Sequence, residues 1–181
     1  MTEKQLYALL TGILGTSLTA IGSPWSTVAV RQAYQPLLTG TPSGPFLGLS
    51  NQPMRRYGFL ERFDTWDAVH SVMTHTESQK WTVIFQIDSQ WKQDPIGAPD
   101  EPTAGDLAQT ASSIMQSDAT RATLLAAGVG IDRVTDVKQP PFKDDTDGFE
   151  YAPSFDFCLS FTNTIASASN PATPKAGIYP I

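Results

Sequence analysis

The sequence predicts an α+β fold, a β-sheet accompanied by helices. Three observations carry that prediction. From Phe149 to Phe161, the residues Phe149, Tyr151, Phe155, Phe157, Leu159 and Phe161 share one parity, and the intervening Glu150, Ala152, Ser154, Asp156, Cys158 and Ser160 are small or polar. A strand sends alternate side chains to opposite faces, so this run reads as one long half-buried strand with an aromatic face. From Lys80 to Trp91, Trp81, Val83, Phe85, Ile87 and Trp91 alternate in the same way with Thr82, Gln86, Asp88 and Gln90. These two strands are expected to share one sheet and to supply most of the core. The third observation is helical: Leu6, Leu9, Leu10, Ile13, Leu14, Leu18 and Ile21 recur at the spacing of an amphipathic helix.

Taken in order, Thr2 caps this helix and Glu3 lies in its first turn, where the macrodipole favours a carboxylate. Leu6, Leu10, Ile13 and Leu14 form its buried stripe. The helix ends before Ser23-Pro24, since proline disfavours helix at the preceding residue. Trp25 to Tyr34, with Thr27, Val28 and Val30, suits a short strand or an extended arm. Gln35 to Pro53 is punctuated by proline and glycine and reads as a long loop, with Phe46, Leu47 and Leu49 in a short strand. Arg55 to Phe63 reads as a strand, and Thr65 to His75 as a turn and short helix through Trp66, Val69 and Val72.

Asp94 to Pro102 is a second loop, carrying Asp94, Asp100 and Glu101. Thr103 caps a helix in which Leu107, Ala111, Ile114 and Met115 repeat at helical spacing. Asp118 caps another, with Leu124 and Leu125, which Gly128 terminates. Ile131 to Val137 is a strand stopped by Pro140-Pro141, and Asp144 to Gly148 is a turn. Pro153 cannot donate to a ladder and marks an edge or a bulge in the last strand. From Asn163 onward Ser, Ala, Asn, Pro and Thr dominate. The domain is therefore expected to span residues 1–162, with residues 163–181 as a weakly ordered tail unless a partner holds it.

A chain of 181 residues is long enough for one domain with a real core. Its net charge of −6 argues against a surface that clings everywhere to nucleic acid or anionic lipid. Cys158 is the only cysteine, so no intrachain disulfide forms, and with no basic neighbour in sequence it reads as a plain thiol. Leu6 to Gly22 is uncharged, but Thr11, Gly12, Thr16, Ser17 and Thr19 dilute it below the all-round apolarity of a spanning helix. Glu3 offsets Lys4, unlike the positive start of a signal peptide. No membrane partner is expected.

The chemistry-bearing residues are sparse. His70 and His75 do not share a helical face and have no cysteine nearby, so they read as surface histidines rather than zinc ligands. Asp144, Asp145, Asp147 and Gly148 faintly resemble a calcium loop, but Glu150 comes too early to close one, and an acidic turn is expected. Gly128-Val129-Gly130 follows a helix and lacks the Lys-Ser/Thr ending of a phosphate cradle. No spaced nucleophile and base is present. The expectation is a protein without enzymatic activity, cofactor or metal. Arg55, Arg56 and Arg62, interleaved with Tyr57, Phe59 and Phe63, are the one basic-aromatic cluster. Single-strand nucleic-acid binders combine such side chains. The plainer reading is a strand with its aromatics in the core and its arginines paired to Glu61 and Asp64.

The order of elements resembles the tail-terminator and neck proteins of long-tailed bacteriophages. An N-terminal helix leads to a Pro/Gly-rich segment ending in Pro45-Phe46-Leu47-Gly48-Leu49. The strand Trp81 to Asp88 follows, then an Ala-rich helix from Ala104 to Met115, a short helix from Thr120 to Ala127 and a strand at Gly130-Ile131. Last comes the run from Phe149-Glu150-Tyr151 to Phe155-Asp156-Phe157-Cys158-Leu159. The resemblance covers roughly Leu6 to Phe161. Members carry a Glu-Arg-Arg-type run at the last strand, where this chain has Phe149-Glu150-Tyr151-Ala152-Pro153. The resemblance implies a single α+β domain with long loops, its sheet mostly antiparallel and flanked by helices. It implies a homo-oligomer, a hexameric ring that caps the tail tube, joins it to the head connector and lets DNA pass through its lumen without specific binding. It places the protein in the virion tail or neck, after assembly in the host cytoplasm. Other readings are a tube or minor tail subunit, or a small nucleic-acid-binding domain using the arginine cluster. The residues expected at subunit or partner interfaces are Arg55, Arg56 and Arg62, Phe46 and Leu47 in the first loop, and Asp100 and Glu101 in the second.

Overall fold

The computed structural model describes residues 1–33, 44–92, 98, 100–139, 141–143 and 149–169, with side chains for all of these except 141–143, 149–151 and 169. Helix α1 spans Glu3–Ile21. Its start is a reciprocal cap: the Gln5 amide donates to Thr2 Oγ1 at 3.2 Å and the Thr2 amide donates to Gln5 Oε1 at 2.7 Å. Leu6, Leu10, Ile13, Leu14 and Leu18 form the buried stripe, as the spacing predicts. A 3-10 turn at Trp25–Thr27 leads into strand β1, Ala29–Gln32. Strand β2 follows at Phe46–Asn51, β3 at Arg55–Asp67 and β4 at Val72–Gln90. Helix α2 is Ala104–Gln116, opened by the same kind of cap between Thr103 and Asp106. Helix α3 is Asp118–Ala126, and its cap is Ser117, one residue earlier than expected: the Thr120 amide donates to Ser117 Oγ at 3.2 Å. Gly128, at φ +74°, turns the chain out of α3. Strand β5 is Val129–Val134, β6 Pro141–Lys143, β7 Phe149–Tyr151 and β8 Ser154–Ser169.

The main sheet runs β1-β2-β4-β8-β5, with β3 also paired to β4; β6 and β7 form a separate two-stranded ribbon. Among the described residues, only the β1–β2 pairing of this sheet is parallel. This is an α+β single domain with a mostly antiparallel sheet. The two aromatic strands are neighbours. β4 and β8 pair from Asp88↔Ser154 to Met73↔Ser169 without a register shift. Phe85 lies opposite Phe157, and their rings stack at 5.6 Å with 14° between planes. Helices α1, α2 and α3 cover one face. Leu10, Leu14, Leu107, Met115 and Leu124 meet Val83, Phe85, Ile87, Phe155, Phe157 and Leu159, all essentially inaccessible to solvent.

Four expectations are corrected. The last strand is not continuous from Phe149: the chain breaks at Ala152-Pro153, where proline offers no amide hydrogen, and Phe149 to Tyr151 pairs with β6 instead. The Pro153 carbonyl accepts from the amide and hydroxyl of Ser89, at 2.9 and 3.0 Å. The strand from Lys80 begins earlier, at Val72, and no helix forms between Thr65 and His75. Trp66 and Val72 belong to facing strands, and Val69 lies in the turn between them, so their helical spacing is coincidental. Third, the strand expected at Ile131 to Val137 runs from Val129 to Val134. Finally, Asn163 does not begin a loose tail, because β8 continues along β4 as far as Ser169. The segment 170–181, residues 35–43 of the first loop, residues 94–97 and 99 of the second and the acidic run 144–148 lie outside the described residues.

Candidate functional site

The sheet divides into a body and an arm, because β4 changes partners along its length. In the body, β2 pairs one edge of β4 from Phe46↔Gln90 to Asn51↔Phe85. At Arg55↔Thr82, β3 takes over that edge and follows β4 out to Asp67↔Val72. On the other side, β5 pairs β8 from Val134↔Phe157 to Val129↔Phe161 and goes no further. What continues is a three-stranded ribbon, β3-β4-β8, roughly 30 Å long at ~3.4 Å per residue. Among the described residues no helix covers either of its faces. Every residue of β3 from Arg55 to Trp66 is exposed, as is every residue of β8 from Thr162 to Ala168.

The root of this arm is anchored. The Tyr7 hydroxyl donates to Asn51 Oδ1 at 3.0 Å, and Asn51 Nδ2 donates to Glu3 Oε1 at 3.0 Å. The Tyr7 ring meets Phe85 edge-on at 5.2 Å. The start of α1 is thus fixed to the point where β2 ends and β3 begins. Burial, then the Glu3 carboxylate, holds the Tyr7 phenol above its ordinary pKa. The tip is closed by Asp67, which accepts from the Val69 and His70 amides at 2.9 and 3.2 Å and from His70 Nδ1 at 2.7 Å. These hydrogen bonds, His70's first, hold the Asp67 carboxyl below its usual pKa.

Cross-strand partners share a face, so the register sorts the arm's side chains. One face continues the side that packs on the helices. It carries Arg56 over the Trp81 ring at 5.4 Å, Arg62 Nε 3.0 Å from Glu77 Oε1, and His75 Nδ1 2.7 Å from Asp64 Oδ1, together with Trp66, Met73 and Ile165. The opposite face carries Lys80 over the Tyr57 ring at 5.6 Å, with Phe63 among Thr74, Thr76, Ser78, Thr164, Ala166 and Ala168. Between Tyr57↔Lys80 and Glu61↔Ser78 the register shifts, Gly58 adopts φ +74°, and Phe59 projects almost wholly into solvent at 97% exposure. Tyr57, Phe63, Trp66, Val69 and Ile165 are also largely exposed. Exposed apolar side chains are thus concentrated on this one projection.

The residues expected at interfaces fall in three places. Arg55, Arg56 and Arg62 lie on β3 in the arm. Their neighbours Tyr57, Phe59 and Phe63 are not in the core, and Arg62 pairs with Glu77 rather than with Glu61 or Asp64. Leu47 is a correction: it is wholly buried, because β2 turns that parity toward the helices, and the half-buried Phe46 lies on the same strand. Asp100 and Glu101 line an open groove of about 890 Å³ beside Ile21, Trp25, Asp106 and Ile114. Both histidines have a carboxylate partner, which sequence spacing could not reveal, since Asp64 reaches His75 only across the hairpin. Among the described residues no group of three His, Cys, Asp or Glu side chains converges to hold a metal, and no helix is long and apolar enough to cross a membrane. Burial and the Asp132 carboxylate push the Cys158 thiol up, away from the reactive thiolate.

On the sheet face away from the helices, Asp88 and Asp156 are diagonal neighbours, from Asp88↔Ser154 and Gln86↔Asp156. Lys138 Nζ lies 3.6 Å from Asp156. Burial first, and the Asp156 charge second, raise the Asp88 carboxyl above its ordinary pKa. The folded state therefore holds this proton more tightly than the unfolded chain does. Stability falls as pH climbs from the ordinary Asp value of about 3.9 through the raised one. Asp88→Asn is expected to raise the denaturant midpoint at neutral pH, with the gain vanishing below the ordinary Asp pKa. An equal midpoint for the two proteins at neutral pH would contradict this assignment.

A family model described as E217 gateway protein gp29 matches residues 5–171 of the chain. No curated protein sequence matches it.

Proposed function

This chain belongs to the E217 gateway protein gp29 family and is a phage structural protein of the virion; from that premise we propose that it is a ring-forming component of the neck or tail terminus. In this reading, copies of the chain close into a hexamer between the tail tube and the head connector. The protein works by assembly rather than catalysis. It assembles in the host cytoplasm, and DNA passes through its lumen without being held.

One observation carries the reading: a bare three-stranded arm projects from a well-packed body, with Phe59, Val69, Tyr57 and Ile165 in solvent. An isolated domain gains nothing from such a projection, whereas a subunit that meets identical neighbours through unlike surfaces buries it when the ring closes. The charge pattern supports passage of DNA over retention. The chain carries −6 overall, and Arg62 is committed to Glu77 within the arm. That pairing also weakens the reading of β3 as a single-strand binding strip.

Light scattering on the purified protein is the test of assembly. The expected result is a mass several times that of one chain, rising with concentration. A strict monomer at the highest soluble concentration contradicts the proposal. Electron micrographs separate the ring from the alternative of a tube subunit: discrete rings are expected, and open-ended tubes of variable length would favour the alternative.

A further inference from the structure

The arm has two outer edges without a partner among the described residues, and one of them, β8, lacks the guards of a protected edge strand. Beyond Phe161, β8 has no partner on its outer side among the described residues. Its sequence there is Thr162-Asn163-Thr164-Ile165-Ala166-Ser167-Ala168, without a charge or a proline, and its register along β4 has no bulge. Natural sheets guard such edges with lysines, prolines, bulges or a covering element, because an unguarded edge recruits another strand. On the far side of the arm, β3 from Glu61 to Asp67 is also regular and unpaired on its outer side among the described residues. β3 and β8 are each antiparallel to β4, so both run from body to tip.

We infer that the arms of adjacent copies join edge to edge, β3 of one copy pairing in parallel with β8 of the next. The inference rests on the ring reading above and specifies its joint. Strand direction selects this pairing. Copies related by rotation about a ring axis point their arms the same way, which sets a body-to-tip β3 beside a body-to-tip β8. A two-fold dimer would instead pair an edge antiparallel with its own copy and leave the other edge open. A parallel joint keeps each face continuous: the face with Trp66 and Arg62 meets Ile165 of the next copy, and the face with Phe63 meets Ala166. The protruding Phe59 lies at the register shift, below the regular stretch of β3, and leaves the joint unobstructed. Main-chain hydrogen bonds supply adhesion, and the alternating side chains set the register.

Disulfide trapping tests the joint. On a Cys158→Ser background, Ile165→Cys is combined in turn with Arg62→Cys, Asp64→Cys or Trp66→Cys, which lie on one face and span the registers open to a level or slightly staggered joint. Within one arm β4 separates these positions from Ile165 by two strand spacings, about 10 Å, too far for a disulfide. Circular dichroism matching the parent shows that each variant folds. The expected result under mild oxidation is a covalent ladder of dimer, trimer and higher species from one double variant, with none from any single variant. Oxidation of Ile165→Cys alone to a dimer and no further would mean a two-fold edge, and overturns the inference. Rings in micrographs without a ladder from any double variant also overturn it while leaving the ring reading intact. A parent protein that stays monomeric without forming rings removes both. As a second arm, Ile165→Lys should abolish rings while leaving the fold unchanged; rings that persist count against the joint.

Discussion

Phe157→Ala should destabilise the protein by about 3–5 kcal/mol, a large share of the ~5–15 kcal/mol that holds a domain of this size together. Phe157 is 1% exposed, stacks on Phe85 across the β4–β8 pair and touches Phe155 along its own strand. Truncation removes a ring from the centre of the helix-covered face, where three helices and the sheet leave little room to collapse into the space. Urea unfolding followed by circular dichroism reads the effect as a lower midpoint with an unchanged slope. Phe59→Ala provides the contrast. The side chain is the same, but at 97% exposure its removal should change monomer stability by less than about 0.5 kcal/mol. A comparable loss from both substitutions would mean that Phe59 is buried and that the arm is not a free projection.

Removal of the arm should abolish assembly and leave a folded monomer. The substitution replaces Gly58 to Gln79 by Asn-Gly, the preferred two-residue hairpin turn, joining Tyr57 directly to its partner Lys80, and ends the chain at Thr162. All of the core named above lies outside the excised segments, including Phe85, Phe157 and the buried stripe of α1. The thermal midpoint should stay within about 5 °C of the parent's. Light scattering should give the mass of one chain at concentrations where the parent associates. A truncated chain that unfolds would make the arm part of the fold's support. A folded one that still assembles would place the subunit contacts on the body.

The body was legible in the sequence, whereas of the arm only its first strand, Arg55 to Phe63, was, for a physical reason. In the body, one face of the sheet is buried under helices, so side chains at period two are forced to be apolar, and Val83, Phe85, Ile87, Phe155, Phe157 and Leu159 show it. The helix caps at Thr2 and Thr103 were readable because their partners lie three residues away. In the arm the described residues leave both faces largely open, so alternation carries little information. Trp66, Val69 and Val72 then mimic a helix, and Thr162 to Ser169 mimics a loose tail. The composition there is that of a strand which satisfies its backbone on one side and leaves the other open. The short strand at Phe46 to Leu49 is readable from sequence, but which of its faces turns to the helices is not, and Leu47 lies on the buried one. The resemblance rested on element order, and membership of the gateway protein family bears out its coarser part, a phage structural protein.

Hydrogen exchange on the amides of β3 and β8 tests the central claim most directly, comparing assembled protein with monomer obtained by dilution. If the arm edges are the joints, amides within Thr162 to Ala168 and Glu61 to Asp67 that exchange freely in the monomer slow markedly on assembly, while those of Val83 to Ile87 stay protected in both. Unchanged exchange along both edges, with new protection confined to the helices or to β1, would contradict it.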